Sequence, residues 1–189
     1  GHVHGRRPVF DLTAEILERT ALPVVASGGL GTGADLARAL QMGAAGIQCG
    51  TAFLATEESF AHPYHKGRVV QAGAGDTVLT DVFVLNWPKG AAVRVLQNSV
   101  TRALDGAYLG HDPDLLPRET IAWDNGQPLL RFSTDSPMRG TTGDLEAMAL
   151  YAGEGVASLR SVVPAAVRLA EIVDGARAIL SRQGEGAAS

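Results

Sequence analysis

Apolar and polar positions alternate with a helical period over "FDLTAEILERTAL", where Leu12, Ile16 and Leu17 share one side, and the period then collapses at Pro23 into the short apolar run "PVVAS". The pattern predicts a helix followed by a buried strand. "GADLARALQMGA" repeats the helical spacing through Leu36, Ala39 and Leu40 and stops at Gly43, the residue type that most readily takes a left-handed cap. "AGIQCGTAF" then reads as a second short strand. Strands joined by helices of this length pair in parallel through right-handed crossovers, which brings the loops after both strands to one face. The expected class is α/β.

From about Phe60 the periodicity loosens. "HPYHKGRVVQAGAGDTVLTDVFVLNW" predicts a short helix and an extended apolar segment from Val78 to Leu85, whereas "HDPDLLPRETIAWDNGQPLLRFSTDSPMRGTTGD" is rich in Pro, Gly and Asp and reads mostly as loop. Helical order returns where Val163, Val167, Ala170, Val173 and Leu180 form an apolar stripe behind Pro164, a residue suited to a first helical turn. The expected organisation is βα units over 1–59, a smaller lobe over 60–147, helices that return to the first part over 148–183, and a disordered tail over 184–189. No solenoid-type repeat is present.

With 189 residues, 46% of them apolar, the chain can bury a sizeable core. A net charge of −4, with both signs mixed along the chain, leaves no basic stripe for a phosphate backbone, so nucleic acid is not an expected partner. A single cysteine, Cys49, allows no internal disulfide and fits a cytoplasmic protein; its place within the second strand predicts a small buried hydrophobe. No apolar run reaches the roughly 18 residues that a membrane span needs. No secretory signal pattern is present either. The chain opens on "GHVHG" without Met or a leading element, which suggests a partial chain.

Four glycines crowd "PVVASGGLGTG", directly after the first strand. They fit neither common phosphate motif: counted from Gly29, the sixth position of a dinucleotide fingerprint is Ala34, and Gly33 is followed by Ala34-Asp35 where a P-loop has Lys and a hydroxyl residue. Glycines after a parallel strand nevertheless let main-chain amides approach an anion, and a helix starting near Gly33 would aim its free N–H groups at the same place. The second strand ends in Gly50-Thr51, adding a hydroxyl and further amides. Two consecutive strand ends thus converge on a volume that suits one phosphate, unless the glycines are ordinary turn and cap residues of a βαβ unit. His62 and His65, three apart without a third ligand nearby, predict no metal site.

In (β/α)₈ barrels the phosphate site commonly lies after strands seven and eight. "VVASGGLGTGADLARALQMGAAGIQCGTAFL" resembles the phosphate grip of the FMN-dependent barrels, which include dihydroorotate dehydrogenases, glutamate synthases and IMP dehydrogenases. More narrowly, "GHVHG", "ASGGLGTG" with "IQCGTAFLATEES", "HPYHKGRVVQA" leading to "DTVLTDVF", and "ALYAGEGV" resemble the nitronate monooxygenases, once called 2-nitropropane dioxygenases, and their relatives the flavin-dependent enoyl-ACP reductases. The catalytic cysteine loop of IMP dehydrogenase has no counterpart, because Cys49 lies elsewhere. The resemblance implies the C-terminal part of a (β/α)₈ TIM barrel with a smaller lobe, six of its strands preceding Gly1.

It also implies chemistry. The family's catalytic histidine stands in Gly-Gly-His after strand six, which corresponds to His2 preceded by Gly1; an imidazole titrating near neutrality suits removal of the proton α to a nitro group. FMN would take the electrons and O₂ would reoxidise it, giving nitrite and a carbonyl compound. The implied cofactor contacts are Gly1, Ser27, Gly28, Gly29, Gln48, Gly50 and Thr51, together with Tyr151, Ala152 and Gly153; Glu154 departs from the glutamine expected beside them. Gln48 fits a place near the ribityl chain or ring and equally a polar position inside the barrel. The implied partners are a nitronate or nitroalkane and O₂, with a homo-oligomer left open. Two other readings stand beside this one: an enoyl thioester reductase fed by NAD(P)H, and an inactive fragment or phosphate-binding module.

Overall fold

The computed structural model describes residues 7–186; Gly1 and His2 lie outside them. Helix α1 (Val9–Arg19), strand β1 (Val25–Ser27), helix α2 (Gly33–Gln41) and strand β2 (Gly46–Gln48) follow one another as the periodicities require. β1 and β2 pair in parallel with Ser27 opposite Gln48, so both strand ends emerge side by side. Met42 closes α2, and Gly43 follows at φ +95°, the left-handed conformation that an L side chain resists. Beneath them Ala26, Leu30, Ala39 and Ala44 form a small core, with Phe10 and Ile47 packed against it.

The second strand is shorter than its apolar run. After Gln48 the chain turns, and Thr51–Leu54 is a helical turn, α3, instead of more strand. Cys49 therefore follows the strand and does not lie within it. It is half-buried against the core, and burial, reinforced by the charge of Asp35, pushes its thiol up. That suits a hydrophobe better than a nucleophile.

Helix α4 (Pro63–Gln71) opens with Pro63 at its first position and with His62 Nδ1 accepting from the Tyr64 amide at 3.0 Å. Strand β3 (Thr77–Thr80) pairs antiparallel with β4 (Val93–Leu96), and helix α5 (Ser99–Ala103) follows. The extended segment expected to reach Leu85 stops at Thr80. There the Thr80 hydroxyl donates to Tyr108 O, and the buried Asp81 carboxylate accepts from Gly110 N, His111 N and His111 Nδ1, which bends the chain away.

The stretch expected to be mostly loop contains a three-stranded antiparallel sheet, in the order β6 (Gln127–Leu130), β5 (Thr120–Asp124), β7 (Thr142–Gly143). Its hairpin turns on Asn125 and Gly126, at φ +48° and +79°, the Asn-Gly pairing that matches strand twist. The local signal for this hairpin is "DNGQ", which lies in a stretch whose Pro and Asp content otherwise reads as loop.

Helix α6 (Ala165–Gly186) runs past residue 184, where a tail was expected. Its inward face is also rotated from the expected stripe. Arg168, Ile172 and Ala176 are buried, whereas Val167 and Val173 are exposed. Two glycines explain the rotation: a Cβ on Gly33 would stand 2.7 Å from Gly175 Cα, so α2 and α6 meet backbone to backbone along that line. The same happens in α1, where Thr13 faces inward and Leu12 and Ile16 are exposed.

The main core consists of Ala52, Ala55, Val69, Ala72, Leu96, Leu150, Ala152, Val156 and Leu159. It joins α3 and α4 to β4 and to the stretch 150–159, in which Glu154–Ser158 forms a short 3₁₀ helix. Among the described residues no helix is long and apolar enough to cross a membrane.

Candidate functional site

Ser27, Gly28, Gly29, Gln48, Gly50, Thr51 and Gly153 meet at one cavity, although they come from three separated stretches of chain. Its volume is about 80 Å³. That is far below the roughly 300 Å³ at which pockets begin to enclose a whole small molecule, so it fits one end of a ligand. Among the described residues no charged side chain lines it. An anion placed there would be held by main-chain N–H groups and hydroxyls.

The glycines are required by conformation and by proximity. Gly28 and Gly29 hold φ of +133° and +69°, which let the chain turn back at the strand end without a Cβ in the cavity. Gly155, absent from the residues expected at the site, is the tightest point: a Cβ there would run into Gly29 O. Gly31, from the same glycine cluster, and Ser158, which the sequence did not point to, add to the wall, and the Ser158 hydroxyl donates to Gly155 O at 2.7 Å. The signal for Gly155 was its place in "AGEG", a second glycine two residues after the first.

Thr51 joins two of the walls. Its Oγ1 accepts from Gly153 N at 2.8 Å, which leaves the hydroxyl proton available to an acceptor in the cavity. Tyr151 and Ala152 stand behind this wall. Ala152 is buried in the main core, and Tyr151 sends its hydroxyl to Thr134 O at 2.8 Å, where burial pushes the phenol up to about 12. Glu154 points outward, and its carboxylate meets Arg94 at 2.8 Å, so the departure from glutamine is matched by a cation on β4.

The start of α2 does not serve the cavity as the sequence suggested. Asp35 Oδ2 accepts from Gly31 N at 3.0 Å, from Thr32 N at 2.9 Å and from the Thr32 hydroxyl at 2.7 Å, while Thr32 Oγ1 accepts from Asp35 N, a closed capping box. A carboxylate already occupies that helix end. His65 lies away from the cavity, buried between Tyr151 and Ser136, and His62 caps α4. Among the described residues no group of three His, Cys, Asp or Glu side chains is placed to hold a metal. The candidate base His2, with Gly1, lies outside the described residues.

Comparison with known proteins identifies the family and the fold. The family pattern for nitronate monooxygenase matches residues 1–175. A nitronate monooxygenase of Metarhizium robertsii is 31% identical over 175 residues, covering 89% of this chain and 45% of that protein. One from Paraburkholderia phytofirmans is 32% identical over 168 residues, covering 88% and 41%. The chain thus spans less than half the length of these relatives. Among solved structures, nitroalkane oxidase from Streptomyces ansochromogenes superposes with a TM-score of 0.64 at 30% identity, covering 90% of this chain and 45% of that one. FabK from Thermotoga maritima superposes at 0.67 with 22% identity, covering 96% and 52%, a likeness of fold. The chain is α/β and corresponds to part of a TIM barrel, with β1 and β2 as two of its parallel strands.

Proposed function

The chain belongs to the nitronate monooxygenase family, and on that footing we propose that it supplies the phosphate-gripping end of an FMN site in an enzyme that oxidises alkyl nitronates with O₂ to a carbonyl compound and nitrite. The observation that carries this reading is the convergence of the two strand ends and the Gly153–Gly155 stretch on one small cavity lined, among the described residues, largely by glycines and hydroxyl residues and by no charged side chain. A phosphate is the group such a cradle suits. It is compact, accepts hydrogen bonds on every side, and tolerates neighbours only where no Cβ intrudes.

The donor set fits FMN. Gly28 and Gly29 line the cavity without side chains, so that main-chain amides can reach an anion there, Thr51 brings a hydroxyl, and Gly50, Gly153 and Gly155 keep it open. Gln48, opposite Ser27 at the paired strand ends, lines the same cavity, which supports a contact with the ribityl chain or ring. FMN, when bound, supplies the electron acceptor that O₂ renews. His2, matched to the family's histidine, takes the proton α to the nitro group when the substrate enters as the neutral nitroalkane. Substrate, O₂ and a cytoplasmic setting are part of this same reading.

The test uses the protein as its own gene encodes it, here termed the parent. Purified parent should retain a flavin absorbance between about 350 and 500 nm, the range in which oxidised flavins absorb, and release nitrite from an alkyl nitronate in proportion to O₂ consumed. His2→Ala should lower turnover of nitroalkane far more than that of preformed nitronate, since only the former needs a base. Flavin-dependent NADH consumption with a crotonyl thioester and no nitrite would replace this reading with the reductase. A colourless parent would leave a phosphate-binding module.

A further inference from the structure

His65 lines no part of the cavity, yet it is completely buried, and both ring nitrogens are engaged. Nε2 lies 3.0 Å from Tyr151 O, and Nδ1 lies 3.3 Å from Ser136 Oγ. A carbonyl oxygen only accepts, so Nε2 carries the proton and Nδ1 accepts from the serine hydroxyl. The Tyr151 phenol donates in turn to Thr134 O at 2.8 Å. The contacts therefore close a ring: imidazole, Tyr151 main chain, Tyr151 side chain, segment 134–136, imidazole.

That ring abuts the cavity wall. Immediately after Tyr151, Ala152 N donates to Arg94 O at 3.2 Å, and next along the chain Gly153 N donates to Thr51 Oγ1 at 2.8 Å. Three consecutive residues are thus pinned by α4, β4 and α3 respectively. A buried imidazole carries a desolvation cost that an apolar side chain of similar volume would avoid, and what it provides in return is an N–H for the Tyr151 carbonyl.

We propose that His65 is a positioning residue for the anion cavity. Its Nε2–H fixes the Tyr151 peptide, and through the short Tyr151–Gly153 stretch it sets where Gly153 N and the Thr51 hydroxyl stand, coupling segment 134–136 to the wall. The ligand named in the test rests on the phosphate reading above. The coupling within the protein does not.

The experiment compares His65→Leu, His65→Gln and Ser136→Ala with wild type in the parent. One measurement is FMN affinity by flavin fluorescence, and the other is hydrogen exchange of the Gly153 amide without flavin, at a temperature where each variant is folded. Glutamine can place an amide N–H near the position of Nε2 and an acceptor toward Ser136. The expected result is an FMN Kd raised about tenfold or more in His65→Leu and less than about threefold in His65→Gln. Gly153 exchange should quicken in His65→Leu before that of the α4 amides, and glutamine should restore it.

Equal exchange at Gly153 in all variants, or a uniform rise across α4, β4 and 151–155, would reduce His65 to packing and overturn the proposal. If His65→Leu fails to fold, Ser136→Ala decides. Faster Gly153 exchange supports the ring, and unchanged exchange overturns it. Wild-type parent that binds no FMN would sink the phosphate reading while the exchange comparison still ruled on the coupling.

Discussion

The Gly153 amide donates to the Thr51 hydroxyl at 2.8 Å across 102 positions of sequence, tying the second strand end to the stretch before α6. Thr51→Val keeps the shape but removes both this acceptor and the hydroxyl proton facing the cavity. With each lost hydrogen bond worth about 1 kcal/mol, FMN affinity of the parent should fall roughly 10- to 30-fold. Thr51→Ser should stay within about threefold. Equal affinity in all three proteins would remove Thr51 from the grip.

Glycine substitutions separate close approach from mere flexibility. A Cβ on Gly155 would collide with the Gly29 carbonyl, so Gly155→Ala must push the 153–158 turn off the cavity; flavin retention should be lost and Tm should drop. Gly67 lies inside α4 with nothing within 4 Å of a built Cβ, and there Ala should stabilise by about 0.5–1 kcal/mol. Thermal unfolding of the two variants should move in opposite directions.

The readable part of this protein is the part governed by local rules. The βαβ order, the Gly43 cap and the meeting of Ser27 with Gln48 follow from period, turn chemistry and parallel pairing, and those suffice to gather Gly28, Gly29, Gly50 and Thr51 in one place. Gly155 and Ser158 are not legible in this way because their role depends on a contact between distant segments, and no local spacing encodes the approach of Gly155 to Gly29. The inward faces of α1 and α6 escaped for a related reason. Hydrophobicity favoured Leu12, Ile16, Val167 and Val173, whereas the Gly33–Gly175 contact set the rotation of α6 and buried Arg168 and Ile172 instead. The start of α2 departs from its sequence pattern because Asp35, two residues beyond Gly33, closes a capping box and accepts from Gly31 N, Thr32 N and the Thr32 hydroxyl.

Lys66 holds the turn that leads from α3 into α4. Its buried ammonium donates to Thr56 O at 2.6 Å, Ser59 O at 2.8 Å and Glu57 O at 3.2 Å, while Arg139 grips Glu57, Glu58 and Ser59 carbonyls from outside. The same turn meets the start of α6, through Glu57 N to Val163 O and Ala165 N to Glu58 Oε2. Lys66→Met keeps the stem but leaves these inward carbonyls short of a donor. The expected loss is about 3 kcal/mol, a drop in Tm of roughly 10 °C in a chain of this size. An unchanged Tm would show that Arg139 alone holds the turn.

His65 should also write itself into the dependence of stability on pH. Burial, with smaller contributions from Arg68 and His62, pushes its imidazole from 6.5 down to about 4, although the Tyr151 carbonyl pulls the other way. As pH falls below 6.5 the unfolded chain takes up a proton that the folded chain refuses until about pH 4. The unfolded state therefore binds more protons in that window, and stability falls as pH falls through it. A difference of this size corresponds to about 3 kcal/mol, fully present above pH 6.5 and lost by about pH 4. His65→Gln cannot titrate, so its denaturation free energy should lose this slope between pH 6.5 and 4 while the slopes contributed by carboxylates remain. Parallel curves for wild type and His65→Gln across that window would mean that the imidazole is open to protons in the folded protein, and the closed ring around it would have to be abandoned.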